Sequence, residues 1–437
     1  MIKCGYRNIF RRILRQGAGA VESASAPPSD IIRPMGRLQS FASAACLIAT
    51  AALSASAAVQ TGIDILEATD FKALVGKRVG LITNQTGRDH AGRSTIEVFA
   101  SSNRLEIKTI FVPEHGLKGL TEFGPISSSA VVMGSKTLPV VSLYKDGPVA
   151  PRADQLRGLD ALVFDVQDVG ARFYTYLTTM GLALEAAKKA GAEFYVLDRP
   201  NPLGGMIMGG PLPSPSLLAE RRPTAFYAVP IRHGMTAGEI ARLYNRAIRH
   251  PGLHVIKMKG WSRRMSYGAT GLSWTPPSPN LPDFHAARFY VGIGIFESSN
   301  LAVGRGGTKP FQWIGAPWLD TRRLLRALSQ WGPRGVVFVS QDDVPAENPY
   351  KGRPCRGLAM RITNRRDFDP LNTFLAVALA LRDVHAKDFA FRWGETRRMV
   401  GTSRFRKLYE RGAGLSEFQR LFDAGSFAKT RKTFLLY

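Results

Sequence analysis

Two glutamates stand where an apolar run gives way to a polar turn, a place where a folded chain can hold chemistry. Glu114 comes just after the strand-like run 107–112 and directly before His115, and Glu297 ends another apolar run. Hydrolysis of a glycosidic bond needs a carboxylic acid to protonate the leaving oxygen. It also needs a carboxylate or an internal group to meet the positive charge that develops at the anomeric carbon. Glu114, Glu297 and His115 are therefore the candidate catalytic residues.

Polar residues also follow the other strand-like runs. In a parallel sheet the carboxyl ends of the strands share one edge, and ligands bind outside that edge. Arginine suits an anionic substrate group, because guanidinium meets carboxylate in a two-pronged fit. The residues predicted to bind substrate at this edge, or in the glycine-rich segment after Glu297, are Asn84, Asp168, Arg172, Asp198, Arg199, Asn201, His233, Asn300 and Arg305.

The elements that must position these residues alternate along the chain. Apolar strands separated by helices predict an α/β fold with a doubly wound, mainly parallel sheet. Thr236 and Glu239 have the spacing of a capping box at the start of the third helix. The predicted strands are 79–84, 107–112, 139–144, 161–166, 193–198 and a short 228–232, and the predicted helices are 94–102, 175–191 and 237–250.

The pattern changes after the proline-rich stretch 274–282. The segment 289–313 is dense in glycine, and new elements follow from about Asp320. These are helices at 321–330 and 371–384 and strands at 335–340 and 357–363, which predict a smaller α+β domain. We place the larger domain at 58–300 and the smaller one at 301–437.

The amino-terminal segment resembles an export signal. Basic Arg37 precedes the apolar run 41–53, and small residues at 55 and 57 follow it. This pattern predicts a secretory signal peptide cleaved after Ala57, with a membrane anchor as the alternative. The run is shorter than the ~20 residues that a spanning helix needs. Met35 is an alternative start. We therefore expect an exported protein, periplasmic or extracellular, that has no stable membrane insertion after cleavage.

The mature chain is basic and contains a single cysteine, Cys355. The whole sequence has a formal net charge of +25, and residues 1–57 contribute seven Lys/Arg and two Asp/Glu, so about +20 remains. Scattered basic residues without an aromatic–basic platform argue against a nucleic-acid partner. Anionic cell-wall polymers suit an exported basic protein better, and a general arginine bias is the alternative. With one cysteine, stability must come from the core, not from an internal disulfide.

Two other chemistries are disfavoured by the motifs. The turn after the first strand reads NQTGRDHAG, which lacks the G-x-G-x-x-G of a dinucleotide site, so no cofactor is expected. Metal ligands could come from Glu114, His115 and His233, but none of the three lies in an H-x-x-x-H, H-x-x-E-H or C-x-x-C spacing, and no metal is expected.

Eight motifs in order resemble the exo-β-N-acetylmuramidase family of the NamZ type, from about residue 60 to the end. They are VGLITNQTG, FVPEHGLKG, FDVQDVGARFYTY, VLDRPNPLGG, IRHGMTAGEIA, PSPNLP, FESSNLAVGRGGTKPF and the terminal FLLY. One departure is Leu117, where many relatives have phenylalanine.

The resemblance implies a Rossmann-like domain joined to a smaller carboxyl-terminal domain, with the site in the cleft between them. It implies release of N-acetylmuramic acid from the non-reducing ends of peptidoglycan fragments. The glutamate of the family's P-E-H-G motif is regarded as catalytic and falls on Glu114, and the acid of F-E-x-x-N falls on Glu297. Two alternatives stay open: a metal-dependent cell-wall amidase or deacetylase, and a non-catalytic peptidoglycan-binding protein.

Overall fold

A seven-stranded sheet forms the centre of the larger part of the protein. The computed structural model describes residues 58–120, 129–133, 136–144 and 147–437. The strands of this sheet are β1 (Arg78–Thr83), β2 (Glu106–Val112), β3 (Ser129–Met133), β4 (Lys136–Ser142), β5 (Ala161–Asp165), β6 (Glu193–Leu197) and β7 (Leu253–Ile256). Their order is β3-β4-β2-β1-β5-β6-β7, and every neighbouring pair is parallel except β3 and β4.

Both faces of the sheet are buried, which is why its central strands read as continuous apolar runs. Successive side chains of a strand point to opposite faces. Leu81 and Val163 accordingly belong to one apolar cluster, while Ile82 and Phe164 belong to another. The helices that accompany this sheet are α1 (Gly62–Ala68), α2 (Thr95–Ser101), α3 (Ala153–Leu156), α4 (Tyr176–Ala190), α5 (Pro215–Ala219) and α6 (Ala237–Ile248).

Local signals account for the helix ends. Gly191 follows α4 with a φ of 73°, the left-handed conformation that glycine adopts at low cost. Thr236 and Glu239 form the predicted capping box at the start of α6, with the Thr236 side chain accepting a bond from the Glu239 backbone N–H. Both predictions are confirmed.

The predicted short strand at 228–232 is wrong. Its last residue, Arg232, makes only isolated bridges to Ala171 and Gly209, outside the named strands. Pro230 has no N–H to donate to a ladder, which disfavours a strand in the interior of a sheet. Pattern reasoning also missed β3 and the four-residue β7, which lie at the two edges of the sheet and whose residues are partly or largely exposed.

A second, smaller sheet occupies the carboxyl-terminal part. It contains β8 (Trp313–Ala316), β9 (Val336–Ser340) and β10 (Arg356–Ile362) in the antiparallel order β8-β10-β9. The helices of this part are α7 (Phe284–Ile293), α8 (Thr321–Trp331), α9 (Pro370–Val384), α10 (Trp393–Val400), α11 (Arg404–Glu410), α12 (Leu415–Phe422) and α13 (Gly425–Arg431). The predicted fold class, a doubly wound α/β sheet with a smaller α+β part, is confirmed. The exact division at residue 300 and the signal peptide stay predictions, and the latter lies outside the described residues.

Candidate active site

A cavity of about 210 Å³ receives most of its lining residues from three parts of the chain, and Thr224 and Met399 complete the lining. The end of β2 and the start of α4 supply one side, the loop 278–281 supplies another, and the segment from α7 to residue 311 supplies a third. We call this space the catalytic cavity. Its lining residues are Glu114, His115, Phe173, Tyr174, Thr175, Thr224, Ser278, Asn280, Leu281, Tyr290, Glu297, Arg305, Phe311 and Met399.

Glu114 is presented by a sharp turn at the end of β2. The next two residues, His115 and Gly116, have φ values of 71° and 72°, so the backbone reverses at once after the strand. The hydroxyl of Thr175 donates a hydrogen bond to Glu114 Oε2. Thr175 directly precedes α4, and the amino end of a helix stabilises negative charge. The half-buried carboxyl group therefore has a defined orientation at the cavity wall.

Glu297 comes from the other side, on the short 3₁₀ turn Gly294–Ser298 that continues α7. Its carboxylate pairs with the guanidinium of Arg305. The Nε of Arg305 also lies 3.0 Å from Glu347 Oε2. A positive partner favours the ionised form of a carboxylate, and Glu297 lines the same cavity as Glu114.

Aromatic rings form a third side of the cavity. Tyr290 packs edge-on against Phe173, Tyr174 and Phe311, with ring centroids 5.2, 5.8 and 4.9 Å apart. Such rings offer large apolar area to a ligand. Sequence reasoning assigned none of these residues to the site, although the stretch FYTY at 173–176 would have been the signal for two of them.

Arg172 lies away from the cavity lining and is buried. Its guanidinium donates hydrogen bonds to the backbone carbonyls of Thr224, Pro211, Val229 and Met399. Burial lowers its pKa to about 9. These contacts join distant segments of the backbone.

Asp198 and Arg199 take part in a buried network at the ends of β5 and β6. Arg199 donates two hydrogen bonds to Asp165, from Nε to Oδ1 at 2.5 Å and from an Nη to Oδ2 at 2.8 Å. Asp198 accepts from the hydroxyls of Thr236 and Tyr437, at 2.7 and 2.8 Å. Burial raises the pKa of Asp198 to about 6, against the lowering effect of these donors. We call these five residues the buried strand-end cluster.

Asp168, Asn201 and His233 meet nearby. His233 Nε2 lies 3.3 Å from Asp168 Oδ2, and both side chains are buried. Asn201 donates to the carbonyl of Met235 and accepts from the N–H of Leu203. The polar residues that follow β5 and β6 are thus brought together, as the sequence suggested. Their side chains, however, bond to one another and to the backbone.

The remaining predicted residues bond to the backbone. Asn84 Oδ1 accepts from the N–H of Thr86 at 3.0 Å, and Asn300 bonds both Asp388 and Ala390. Of the twelve predicted site residues, four line the catalytic cavity: Glu114, His115, Glu297 and Arg305. Arg199 lines a separate cavity of about 120 Å³. The catalytic and substrate-binding roles of all twelve stay predictions.

The described part of the chain lacks a metal-binding cluster and a membrane-spanning helix. No three His, Cys, Asp or Glu side chains in it come close enough to share a metal ion. None of its helices combines the length and the apolar character that a membrane span requires.

The fold and the cavity define a class of protein: an α/β protein with a smaller α+β part, in which two carboxyl groups face one cavity, as glycoside hydrolysis requires. Comparison with known sequences identifies the family. Residues 79–285 match the model of the exo-β-N-acetylmuramidase NamZ amino-terminal domain, and residues 288–437 match the model of its carboxyl-terminal domain. The chain belongs to the NamZ exo-β-N-acetylmuramidase family.

Individual relatives agree with this assignment. The chain is 37% identical over 384 residues to the peptidoglycan β-N-acetylmuramidase NamZ of Bacillus subtilis (strain 168), covering 87% of this chain and 91% of the relative. Two crystal structures of DUF1343 family proteins from Bacteroides fragilis NCTC 9343 are similar in fold. Their TM-scores are 0.78 and 0.67 and their identities 31% and 26%, and each comparison covers 87% of this chain and 99% of the other.

Proposed function

We propose that the protein is an exo-acting glycosidase that releases N-acetylmuramic acid from the non-reducing ends of peptidoglycan fragments. The observation that carries the proposal is the convergence of Glu114 and Glu297, from different parts of the fold, on one cavity. The B. subtilis relative named as a peptidoglycan β-N-acetylmuramidase supports the choice of substrate.

The size of the cavity supports exo action. Pockets for drug-sized ligands typically enclose ~300–1,000 Å³, and the catalytic cavity encloses about 210 Å³. This space suits one terminal sugar better than a stretch of glycan chain. The rest of the substrate then extends outward from the scissile bond.

The two carboxyl groups have environments that suit different tasks. Glu114 is held at the cavity wall by the hydroxyl of Thr175 and serves as the acid that gives a proton to the leaving glycosidic oxygen. It then takes a proton from the water that completes hydrolysis. Glu297, paired with Arg305, stays negative and stabilises the oxocarbenium-like transition state, either directly or by orienting the acetamido group of the substrate.

The decisive experiment measures turnover of a chromogenic β-N-acetylmuramic acid glycoside by residues 58–437, with EDTA present. We expect Glu114→Gln to lower kcat by about 10²–10⁴-fold, the usual worth of general acid catalysis. Glu106→Gln is the matched control, because Glu106 is exposed at the other end of β2 and bonds Lys108. Loss of wild-type activity in EDTA would favour a metal-dependent hydrolase. Binding of muramic acid fragments without turnover would favour a non-catalytic binding protein.

A second measurement separates the two roles open to Glu297. Azide replaces a missing carboxylate nucleophile and leaves a glycosyl azide product. Since Arg305 already neutralises part of the charge on Glu297, we expect Glu297→Ala to lose activity without rescue by azide. A glycosyl azide of inverted anomeric configuration relative to the normal product would assign the nucleophile to Glu297.

We also propose that the protein is exported to the periplasm or cell exterior, where peptidoglycan lies. The support is the signal-like segment that ends at Ala57 and the charge of about +20 on the rest of the chain. Cell fractionation and amino-terminal sequencing test this, with Ala58 as the expected first residue.

A further inference from the structure

The guanidinium of Arg172 is a buried cation whose partners among the described residues are all backbone carbonyls. The residue is 1% exposed. It donates to the carbonyl oxygens of Pro211 at 2.9 Å, Thr224 at 3.3 Å, Val229 at 3.1 Å and Met399 at 2.6 Å. Burying a charge is costly unless the charge is well bonded. The cost of burying this charge is therefore offset by the carbonyls that it joins.

Two of these carbonyls belong to residues that line the catalytic cavity, Thr224 and Met399. The residues that directly follow Arg172, 173–175, line the same cavity. Arg172 itself does not belong to the lining. Its guanidinium therefore lies behind the cavity wall and fastens together three segments of that wall, which come from distant parts of the chain.

The segment that contains Arg172 also holds Glu114. The backbone N–H of Arg172 donates to the carbonyl of Ile231 at 2.8 Å, which anchors the connection between β5 and α4. Three residues later, the hydroxyl of Thr175 donates to Glu114 Oε2. The orientation of Glu114 thus depends on a segment that Arg172 anchors through both its backbone and its side chain.

The bond from Arg172 to Met399 reaches the last turn of α10. Carbonyls in the last turn of a helix lack partners within the helix, and a cation at that end is favourable. The guanidinium of Arg172 satisfies one of these carbonyls from the side of the β5–α4 connection. It therefore joins the carboxyl end of α10 to the segment that holds Glu114.

The other end of α10 holds the turn that carries Glu297. Arg392, the residue before the helix, donates to the carbonyl of Glu297 and, at 2.6 Å, to that of Ser299. Within the helix, Thr396 Oγ1 lies 2.9 Å from Ser298 Oγ. An α-helix of this length is a stiff rod of about 12 Å. A displacement at its carboxyl end is thus passed on to Glu297.

We propose that Arg172 is a positioning residue that fixes the separation of the Glu114 and Glu297 carboxyl groups through Met399 and α10. In this role it does not touch the sugar. The separation of the two carboxyl groups determines the course of glycoside hydrolysis, and a misplacement of about 1 Å costs about 10²-fold in rate. The expected effect on turnover rests on the proposed function, since it assumes that both glutamates act on one sugar.

The test is Arg172→Met, with Arg431→Met as the matched control. Arg431 is 7% exposed and also donates to backbone carbonyls, those of Gly205 and Gly234, but neither residue lines the catalytic cavity. Both variants should melt at a lower temperature than wild type. Only Arg172→Met should lower kcat for the chromogenic glycoside, by about 10- to 100-fold, with KM changed by less than about threefold. Equal kcat values of the two variants per folded molecule would overturn the proposal.

Two further variants test whether the effect passes through α10. Arg172→Lys keeps the charge but has three donors instead of five, so it should recover part of kcat. Arg392→Met acts at the other end of the helix and should also lower kcat. Since both changes disturb one connection, their combined loss should be smaller than the product of the single losses. Independent, multiplicative losses would contradict the proposal. If Arg172→Met does not fold, Arg172→Lys takes its place in this cycle.

Crystal structures of wild type, Arg172→Met and Arg431→Met provide a measurement that needs no turnover. The separation of the Glu114 and Glu297 carboxyl groups should change by about 1 Å or more in Arg172→Met alone. An unchanged separation overturns the inference, whatever the kcat. If wild type cleaves no muramic acid glycoside but the separation changes in Arg172→Met alone, the proposed function fails and this inference stands. If Glu114→Gln is inactive while Arg172→Met keeps the wild-type kcat and separation, only this inference fails.

Discussion

The catalytic cavity and the buried strand-end cluster both collect polar residues at the carboxyl edge of the same sheet, yet their groups are used differently. In the buried strand-end cluster, Asp165 is 0% exposed and Arg199 is 7% exposed, and their charges face each other. In the catalytic cavity, Glu114 is bonded by Thr175 and Glu297 is paired with Arg305, and both glutamates line a space large enough for a sugar.

This difference shows that a polar strand end is not by itself a binding group. Asp198 is bonded by Tyr437, the last residue of the chain, so the cluster also ties the carboxyl terminus to the sheet. Contacts of this kind contribute to stability. Groups that line a ligand cavity contribute to activity, and substitutions can separate the two effects.

The largest stability effect is expected for Arg199→Met. Removing one partner of a buried ion pair leaves an uncompensated charge, here on Asp165, and typically costs about 3–5 kcal/mol. We expect chemical denaturation to show a loss of this size. Activity per folded molecule should be preserved, because Arg199 does not line the catalytic cavity.

The distinction between a ligand-binding cavity and a purely stabilising cluster would be wrong if Arg199→Met remained stable but bound muramic acid fragments weakly. That result would assign Arg199 to substrate binding, as the sequence predicted, through the small cavity that it lines. Arg104→Met is a suitable control, since the ion pair of Arg104 with Asp70 leaves the two side chains 48% and 64% exposed.

A smaller and pH-dependent effect is expected for Tyr437→Phe. The change removes a donor to Asp198 and should cost about 1–3 kcal/mol. The pKa of Asp198 in the folded protein, about 6, lies above its value in the unfolded chain. The contribution of Asp198 to wild-type stability therefore falls as pH rises from about 4 to about 6. Losing a donor to the carboxylate raises that folded pKa further, and the fall continues to higher pH.

The measurement is the free energy of unfolding of both proteins at pH 5 and pH 7.5. The difference between them should be larger at pH 7.5, where Asp198 is ionised in wild type. Equal differences at the two pH values would mean that the Tyr437 hydroxyl does not act on the charge of Asp198.

An effect on activity, which sharpens the description of the cavity, is expected for Thr175→Val. The change keeps the shape but removes the donor to Glu114 Oε2. A hydrogen bond to a charged group is worth about 1.5–3 kcal/mol, so kcat should fall by about 10- to 100-fold if the bond orients the carboxyl group. Thr175→Ser should restore it. A drop in melting temperature with unchanged kcat would make Thr175 purely structural.

The fold was largely predictable because its signals are local. β1, β5 and β6 read as strands because apolar side chains cover both their faces, and α4 and α6 carry capping signals. The edge strands β3 and β7 were missed because both are short; β3 contains the apolar run AVVM, but its described residues are partly or largely exposed. The segment at 228–232 looked like a strand only because its proline was given too little weight.

The candidate site was predictable only in part. Glu114 and Glu297 were found because each ends an apolar run, a property of neighbouring residues. Which polar strand ends line a cavity depends on contacts between residues far apart in the chain. The pairs of Arg199 with Asp165 and of Tyr437 with Asp198 are of this kind, and so is the position of Tyr174.

By itself, the sequence determined the alternation of strands and helices and the approximate ends of the main elements. It also determined that two glutamates lie beside those ends. These signals are local, because hydrophobic periodicity and helix capping act over a few residues. The tertiary structure alone decided which charges neutralise one another and which face a ligand. The physical reason is that burial and pairing, which set the cost of a charge, arise only when distant segments pack together.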